Sequence, residues 1–230
     1  TIPTGVTEIK KRTFSNCSSL ANVTIKGEVT SIGESAFFNN AFTAIQLPET
    51  LKTIGSSAFK NCGKLEKITL PNNTANIGNA AFLNCSALHL VSVPDSVASV
   101  GQSVFFYNDD ITVEIRKNSG TVADKLLAQQ GIHHVILDEN ISAIGKNVFD
   151  SCYELSSVTY GNETVKSGEY KLSKPIKAIG SEAFKDNPLL RNLIVPDTLE
   201  TIGDNVFYNA IQSGYHCKDV TVTFYYVNGE

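Results

Sequence analysis

One six-residue phrase recurs along the chain and constrains its fold more than any other feature of the sequence. It reads IGSSAF at 54–59 and returns as IGESAF (32–37), IGNAAF (77–82), VGQSVF (100–105), IGKNVF (144–149), IGSEAF (179–184), IGDNVF (202–207) and a degenerate IKKRTF (9–14). Its phenylalanines lie 22–23 residues apart except at two wider gaps. Such a period is the signature of a solenoid, because each repeat buries its apolar face only by stacking on its neighbours.

Each part of the repeated unit has a structural interpretation, which the third copy illustrates. The segment 68–70 alternates apolar and polar residues, as a strand with one buried face does, and Pro71 ends it. A second short extended stretch points Ile54 inward, and Gly55 supplies either an unusual φ or a close approach of two backbones. The pair 58–59 favours a short helical or 3₁₀ turn with the Phe side chain inside. Stacked units of this kind form parallel sheets in a right-handed coil.

The unit resembles the BspA-type leucine-rich repeat, whose pattern is approximately V-x-x-IG-x-x-AF-x-x-C-x-x-L-x-x-I-x-IP. In the third copy this pattern is carried by Leu51, Ile54, Gly55, Ala58, Phe59, Cys62, Leu65, Ile68, Leu70 and Pro71. The resemblance implies a β-dominated leucine-rich-repeat solenoid on a bacterial cell surface, acting as an adhesin or a protein-binding module. It implies no catalytic residues.

Composition excludes several classes of partner. The chain has 230 residues and a net charge of −4, so it has no basic surface for nucleic acid or for a membrane. No apolar run approaches the roughly 18 residues of a membrane-spanning helix. The repeat runs through nearly all of 1–230, which predicts a single domain of about eight coils. Because the sequence starts inside a repeat and contains no Met, we expect it to be a piece of a larger protein.

Two stretches interrupt the period. In the first, 116–140, Thr121 can cap a helix from Val122 to Gln130 that Gly131 ends, so we expect a decorating helix in a variant coil or at a junction between two repeat blocks. In the second, 161–175, the residues are polar, and we expect a small hairpin.

The recurring Phe and Cys are interpreted as a structural ladder. The Phe residues of the ladder are Phe14, Phe37, Phe59, Phe82, Phe105, Phe149, Phe184 and Phe207. Three residues after them come Cys17, Cys62, Cys85 and Cys152, or Asn at the same position of other copies. A position that accepts both is buried, with Asn bonding to backbone and Cys packing as a small apolar group. On adjacent coils the side chains of Cys62 and Cys85 lie parallel, which predicts free thiols.

No arrangement of residues points to catalysis, to a metal or to any cofactor. The four histidines lack metal-ligand spacing with Cys or carboxylate neighbours, and each glycine of the repeated phrase stands alone instead of forming a phosphate-binding loop. We therefore expect a protein that is not an enzyme.

The remaining candidate for function is the solvent face of the longer strands, because solenoids bind partners on such extended faces. Its polar outward positions are Asn22, Thr24, Gln46, Lys67, Thr69, Ser92, Thr112, Glu114, Ser157, Thr159, Asn192 and Asp219. An alternative site lies beside the two interruptions, where aromatic anchors are better represented: Tyr107, Tyr153, Tyr160, Tyr208 and Tyr215. Two functions stay open, namely an extracellular or surface module that binds a protein or host-matrix partner, and a structural spacer that presents another domain.

Overall fold

The computed structural model describes residues 1–117, 120–161, 167–172, 176–208 and 220–225. The chain is a parallel-strand β-solenoid, as the sequence predicts, and it divides into two compact units, Thr1–Val113 (unit 1) and Glu114–Glu230 (unit 2). We describe each unit by itself. Whether the chain is one domain stays a prediction.

The described part of unit 1 contains β1 (Glu8–Ile9), β2 (Ser31–Ile32), β3 (Thr53–Ile54), β4 (Lys67–Thr69), β5 (Asn76–Ile77), β6 (Leu90–Val93) and β7 (Ser99–Val100), with β8 (Thr112–Ile115) at its end. Strands β1, β2, β3, β5 and β7 form a five-stranded parallel sheet, here called the back sheet of unit 1. Strands β4, β6 and β8 are successive strands of its front sheet.

The described part of unit 2 continues with β9 (Gly120–Val122), β10 (His134–Leu137), β11 (Ile141–Ile144), β12 (Ser157–Tyr160), β13 (Glu169–Lys171), β14 (Ala178–Ile179), β15 (Asn192–Pro196), β16 (Thr201–Ile202) and β17 (Thr221–Tyr225). Its back sheet has the order β9-β11-β14-β16, and its front sheet has the order β10-β12-β13-β15-β17. All of these pairings are parallel.

A turn follows each described back strand and, except after β9, carries the repeat Phe toward the core. In the third copy the N–H groups of Ser57, Phe59 and Asn61 donate to carbonyls of the next coil at 2.8–3.0 Å. The alternate N–H groups of Ala58 and Lys60 donate within the turn. Positive φ values of 56° at Ser57 and 63° at Asn61 direct the N–H groups in this way. The turn is therefore a ladder between coils, and the described residues contain no helix of any kind.

The close packing of each turn on the preceding coil explains the glycine of the repeated phrase. The N–H of Gly55 donates to the Ile32 carbonyl at 2.7 Å, and a Cβ at Gly55 would lie 2.7 Å from the backbone N of Glu34. At Gly78 the same clash with Ser56 would be at 2.4 Å. Of the two explanations left open by the sequence, close approach of the backbones is therefore the one that applies.

The first interruption is a variant coil, and the prediction of a helix from Val122 to Gln130 is wrong. Lys125 and Gln129 have φ values of 59° and 57°, which no α-helix tolerates. The N–H groups of Lys125, Leu127 and Gln129 donate to the following coil at 2.7–3.1 Å, as in the turn of the third copy. Leu127 is fully buried at the position of the repeat Phe, so the described residues contain one coil more than the eight that carry Phe.

The second interruption adds a strand to the front sheet of unit 2. The expected hairpin is wrong, because β13 pairs in parallel with both β12 and β15. The back strands β11 and β14 nevertheless pair directly. The extra residues are thus accommodated on the front side alone. Residues 162–166 and 173–175 of this stretch lie outside the described residues.

Candidate binding surfaces

The repeat phenylalanines form a stacked column in the core of each unit. In unit 1 successive ring centroids from Phe14 to Phe105 lie 5.3, 5.4, 5.3 and 6.1 Å apart, with the rings within 12° of parallel. In unit 2 Phe149 stacks on Phe184 at 5.3 Å, and Phe184 on Phe207 at 6.5 Å. The Phe37, Phe59, Phe82, Phe105, Phe149 and Phe184 side chains are at most 1% exposed, whereas Phe14 and Phe207 are half-buried.

Cys and Asn alternate at the same position of the repeat because both side chains donate to the equivalent backbone carbonyl, that of the core residue one coil earlier. Cys62 Sγ donates to the Phe37 carbonyl at 3.1 Å, and Asn40 Nδ2 donates to the Phe14 carbonyl at 2.9 Å. The other members donate in the same way to the corresponding carbonyls: Cys85 to that of Phe59, Cys152 to that of Leu127, Asn108 to that of Phe82 and Asn187 to that of Phe149. In these six coils the position therefore holds a small side chain with a donor, which sharpens the interpretation of Cys as an apolar group. The sequence has Gln130 at this position of the variant coil and Ala210 in the last copy.

The described cysteines are free thiols, as predicted. Burial raises the pKa of Cys62 to about 11 and that of Cys152 to about 12, and it also raises the pKa of Cys85. Such thiols stay protonated at neutral pH and are poor nucleophiles. Cys17 lies in the first coil and is exposed. Three of the four described cysteines are thus structural.

The structure divides the predicted front face into exposed and covered positions. In unit 1 the exposed residues are Asn22, Thr24, Gln46, Lys67 and Thr69. Half-buried positions are Thr112, Glu114 and Asn192, whereas Ser92, Ser157 and Thr159 are only 6–8% exposed. Asp219 lies outside the described residues. The exposed part of the predicted face therefore belongs to unit 1.

In unit 2 longer neighbours cover the short side chains of β12. In sheet register, His134 lies beside Ser157 and Ile136 beside Thr159, and His134 Nδ1 lies 2.7 Å from Ser157 Oγ. On the other side Ser157 is in register with Glu169 of β13. Sequence reasoning missed Glu169, which is half-buried on this face, because the second interruption was not expected to supply a front strand.

The aromatic alternative is only partly exposed. Tyr107, Tyr153 and Tyr208 are 73%, 47% and 54% exposed, whereas Tyr160 is buried and Tyr215 lies outside the described residues. A fourth tyrosine, Tyr170 of β13, is fully buried, and its hydroxyl donates to the Leu155 carbonyl at 2.7 Å. Tyr170 therefore serves the core.

Sequence reasoning also missed a column of Asn side chains on the side of unit 1 formed by the turns after the back strands, here called the turn side. Asn16, Asn39, Asn61 and Asn84 take equivalent positions, each with φ of 56–63°. Asn39 Nδ2 donates to Asn16 Oδ1 at 3.1 Å, and Asn84 Nδ2 to Asn61 Oδ1 at 3.0 Å. Asn is among the non-glycine residues that best tolerate this backbone conformation, so the signal was present in the period of the repeat.

Within the residues that the structure describes, no group of three or more His, Cys, Asp and Glu side chains could hold a metal ion. The same residues include no helix with the length and apolarity needed to cross a membrane. The polar groups brought together on the front faces are those of neighbouring strands in register, such as His134 and Ser157.

Comparison with known proteins identifies the repeat. Residues 1–112 and 106–213 match the model of the BspA type leucine-rich repeat region, in six copies. No curated protein matches the sequence. A leucine-rich repeat protein from Bacteroides ovatus is 23% identical with a TM-score of 0.46, over 98% of this chain and 82% of that one.

Two further solved structures are similar at the same level. For a leucine-rich cell surface protein from Faecalibacterium prausnitzii, identity is 21% and the TM-score 0.44, over 95% of this chain and 65% of that one. For the pneumococcal vaccine antigen PcpA, identity is 18% and the TM-score 0.44, over 99% of this chain and 68% of that one.

Proposed function

The chain belongs to the BspA-type leucine-rich repeat family, and from this premise we propose that it is a non-catalytic module, secreted or held at a bacterial surface, that binds a protein or host-matrix partner. The observation that carries the proposal is the exposed front face of unit 1. There the solenoid aligns solvent-facing polar side chains on successive coils, among them Gln46, Lys67 and Thr69. An array of this kind can contact an extended partner at several coils at once.

The proposal is tested by changing this face without disturbing the core beneath it. Lys67 and Thr69 are exposed on either side of the buried Ile68, so a K67E/T69E double variant alters the surface alone. The matched control is K52E/S56E, at two exposed positions on the back side of the same coil. Binding to immobilised collagen, laminin and fibronectin is measured by surface plasmon resonance.

We expect K67E/T69E to weaken binding to at least one matrix protein about tenfold, which corresponds to about 1.4 kcal/mol, while K52E/S56E leaves binding unchanged. Equal losses in the two variants, or no binding by the parent chain to any of the three proteins, would count against the proposed partner class.

A spacer function is the second candidate, and one observation favours it. The front-face residues Ser92, Ser157 and Thr159 are short and at most 8% exposed, so they offer a partner little contact area. A spacer would show no saturable binding to any matrix protein, and the front-face and control variants would behave alike. The same measurement therefore separates the two functions.

A further inference from the structure

A recess lies on the turn side of the first two coils, on residues that the front face does not include. It has a volume of about 370 Å³ and is lined by Arg12, Ser15, Asn16, Ser35 and Phe38. Pockets that accept small molecules begin at about 300 Å³, so the recess has room for one sugar-sized group.

The recess exists because one small residue replaces a large one. The position directly after the repeat Phe holds Phe38, Lys60, Leu83 and Phe106 in coils 2 to 5, but Ser15 in the first. Backbone hydrogen bonds of 2.8 Å from Phe14 to Ala36 and 2.7 Å from Asn16 to Phe38 hold the two coils in register. The space of the missing side chain therefore stays open beside the Phe38 ring.

The polar groups of the recess are available to a ligand. Within the described part of the chain, the Arg12 guanidinium and the Ser15 and Ser35 hydroxyls make no side-chain hydrogen bond or ion pair. The Arg12 charge acts on Glu34 only at a distance, where it adds to the Lys11 hydrogen bond in lowering the pKa of that carboxyl. The neighbouring Lys11 differs, because its Nζ pairs with Glu34 Oε2 at 2.8 Å. Asn16 Oδ1 accepts from Asn39, which leaves the Asn16 amide N–H groups as donors.

Together these groups define one class of ligand. A guanidinium binds a carboxylate through two parallel hydrogen bonds, hydroxyl and amide groups bind sugar hydroxyls, and an aromatic ring packs against the apolar face of a sugar. A simple anion would make no use of Phe38, and a neutral sugar would make no use of Arg12. We propose that the recess binds a carboxylated sugar residue, such as a hexuronic acid at the end of a glycan.

The experiment titrates the full chain with sodium glucuronate and follows backbone amide signals by NMR. For a ligand of this size we expect a Kd of about 1 mM, with saturable shifts confined to residues 12–16 and 35–38. Methyl glucoside, which lacks the carboxylate, and acetate, which lacks the ring, are expected to bind at least about tenfold more weakly. Equal shifts with acetate would show an unspecific anion site and overturn the proposal.

Three variants locate the site. Arg12→Gln removes the carboxylate partner and should weaken glucuronate binding about tenfold or more, whereas Lys10→Gln removes a neighbouring exposed charge that does not pair with Glu34 and should not. Ser15→Phe restores the large side chain of the other coils and should abolish binding by filling the recess. Unchanged binding in Arg12→Gln or in Ser15→Phe would overturn the proposal. The front-face variant K67E/T69E should bind glucuronate normally, so failure of the proposed protein-binding function is distinguishable.

Discussion

The two units build the same coil with different degrees of regularity. In unit 1 five consecutive phenylalanines stack without a break, at the 22–23-residue spacing of the repeat. In unit 2 the column starts with Leu127, and 35 residues separate Phe149 from Phe184, yet these two rings stack at 5.3 Å. Hydrogen bonds between successive turns occur within each unit. A coil is therefore defined by its backbone ladder and by a filled core position, and the length of the connecting segments matters little.

The second interruption, 161–175, also supplies a residue to the core. Tyr170 of β13 packs with its ring 5.3 Å from Phe184, and its hydroxyl bonds to Leu155. An additional strand is accommodated because the residue that points inward from it fills space beside the column. Unit 1 obtains a similar addition from Phe42, whose ring contacts Phe37 and Phe59 edge-on at 5.8 and 6.3 Å.

The largest expected effect tests whether the column needs each ring. Phe82→Ala, at a fully buried position of unit 1, should lower the free energy of unfolding by about 3–5 kcal/mol, because it leaves a cavity between two rings. Phe14→Ala, at a half-buried position of the first coil, should cost clearly less. Urea unfolding followed by circular dichroism measures both. Equal losses would contradict a core built by stacking.

The second prediction concerns the glycine of the repeated phrase and its replacement in unit 2. A methyl group at Gly78 would lie 2.4 Å from the Ser56 backbone N, so Gly78→Ala should destabilise by about 1–3 kcal/mol or more. The variant coil of unit 2 carries Ala123 at the equivalent position, where the methyl group is already accommodated. Ala123→Gly should therefore change stability by only about 0.5–1 kcal/mol. A Gly78→Ala variant that melts with the parent chain would refute the close-approach explanation.

The third prediction tests the shared donor of Cys and Asn in the two units. Asn187→Ala leaves the Phe149 carbonyl of unit 2 without its 2.7 Å donor and should cost about 1–3 kcal/mol. Cys85→Ala removes a weaker donor in unit 1 and should cost less. Asn187→Cys restores a donor of the kind that Cys152 supplies, so it should recover part of the loss. Thermal unfolding of the three variants gives the order, and no recovery in Asn187→Cys would contradict the common role.

The smallest effect is a pH dependence that both units should share. The folded pKa of Cys62 is about 11 and that of Cys152 about 12, above the ordinary value of 9.0. The folded state therefore holds these protons more tightly than the unfolded state. The contribution of the two thiols to the free energy of unfolding is fully present below pH 9.0 and is lost as the pH rises toward 11 and 12. Urea midpoints between pH 8 and 11 measure the fall. Cys62→Ala should reduce it, and an unchanged slope would exclude the thiol as its cause.

Thiol reactivity provides a simpler check on the same groups. With Ellman's reagent at pH 8, the folded protein should show fast reaction at the exposed Cys17, while Cys62, Cys85 and Cys152 react only after unfolding. A Cys17→Ser/Cys217→Ser double variant is the control, because Cys217 lies outside the described residues, and fast reaction that persists in it would contradict the burial of the other three.

The regular features of the fold could be predicted because the repeat displays each position eight times. The buried column, the turn after each back strand and the ladder of Cys and Asn all follow from which residue types recur at one position. The close approach at Gly55 and the amide column from Asn16 to Asn84 were equally present in the period, but their meaning depends on backbone geometry that composition alone does not specify.

The front face and its neighbours were only partly predictable, for a physical reason. The exposure of Ser157 depends on the length of His134 one coil earlier and of Glu169 on an unexpected strand, and neither contact is local in sequence. In the same way the recess depends on Ser15 lying beside Phe38, a residue of the next coil.

The sequence by itself determined that this chain is a stacked solenoid with a Phe column, because a short period of apolar, Gly and Phe residues permits no other way to bury them. Only the tertiary structure decided that 122–130 is a coil and not a helix, and that 169–171 joins the front sheet. Local propensity favoured the helix, but the turn at 122–130 donates three hydrogen bonds to the next coil, and that contact between coils outweighs local preference.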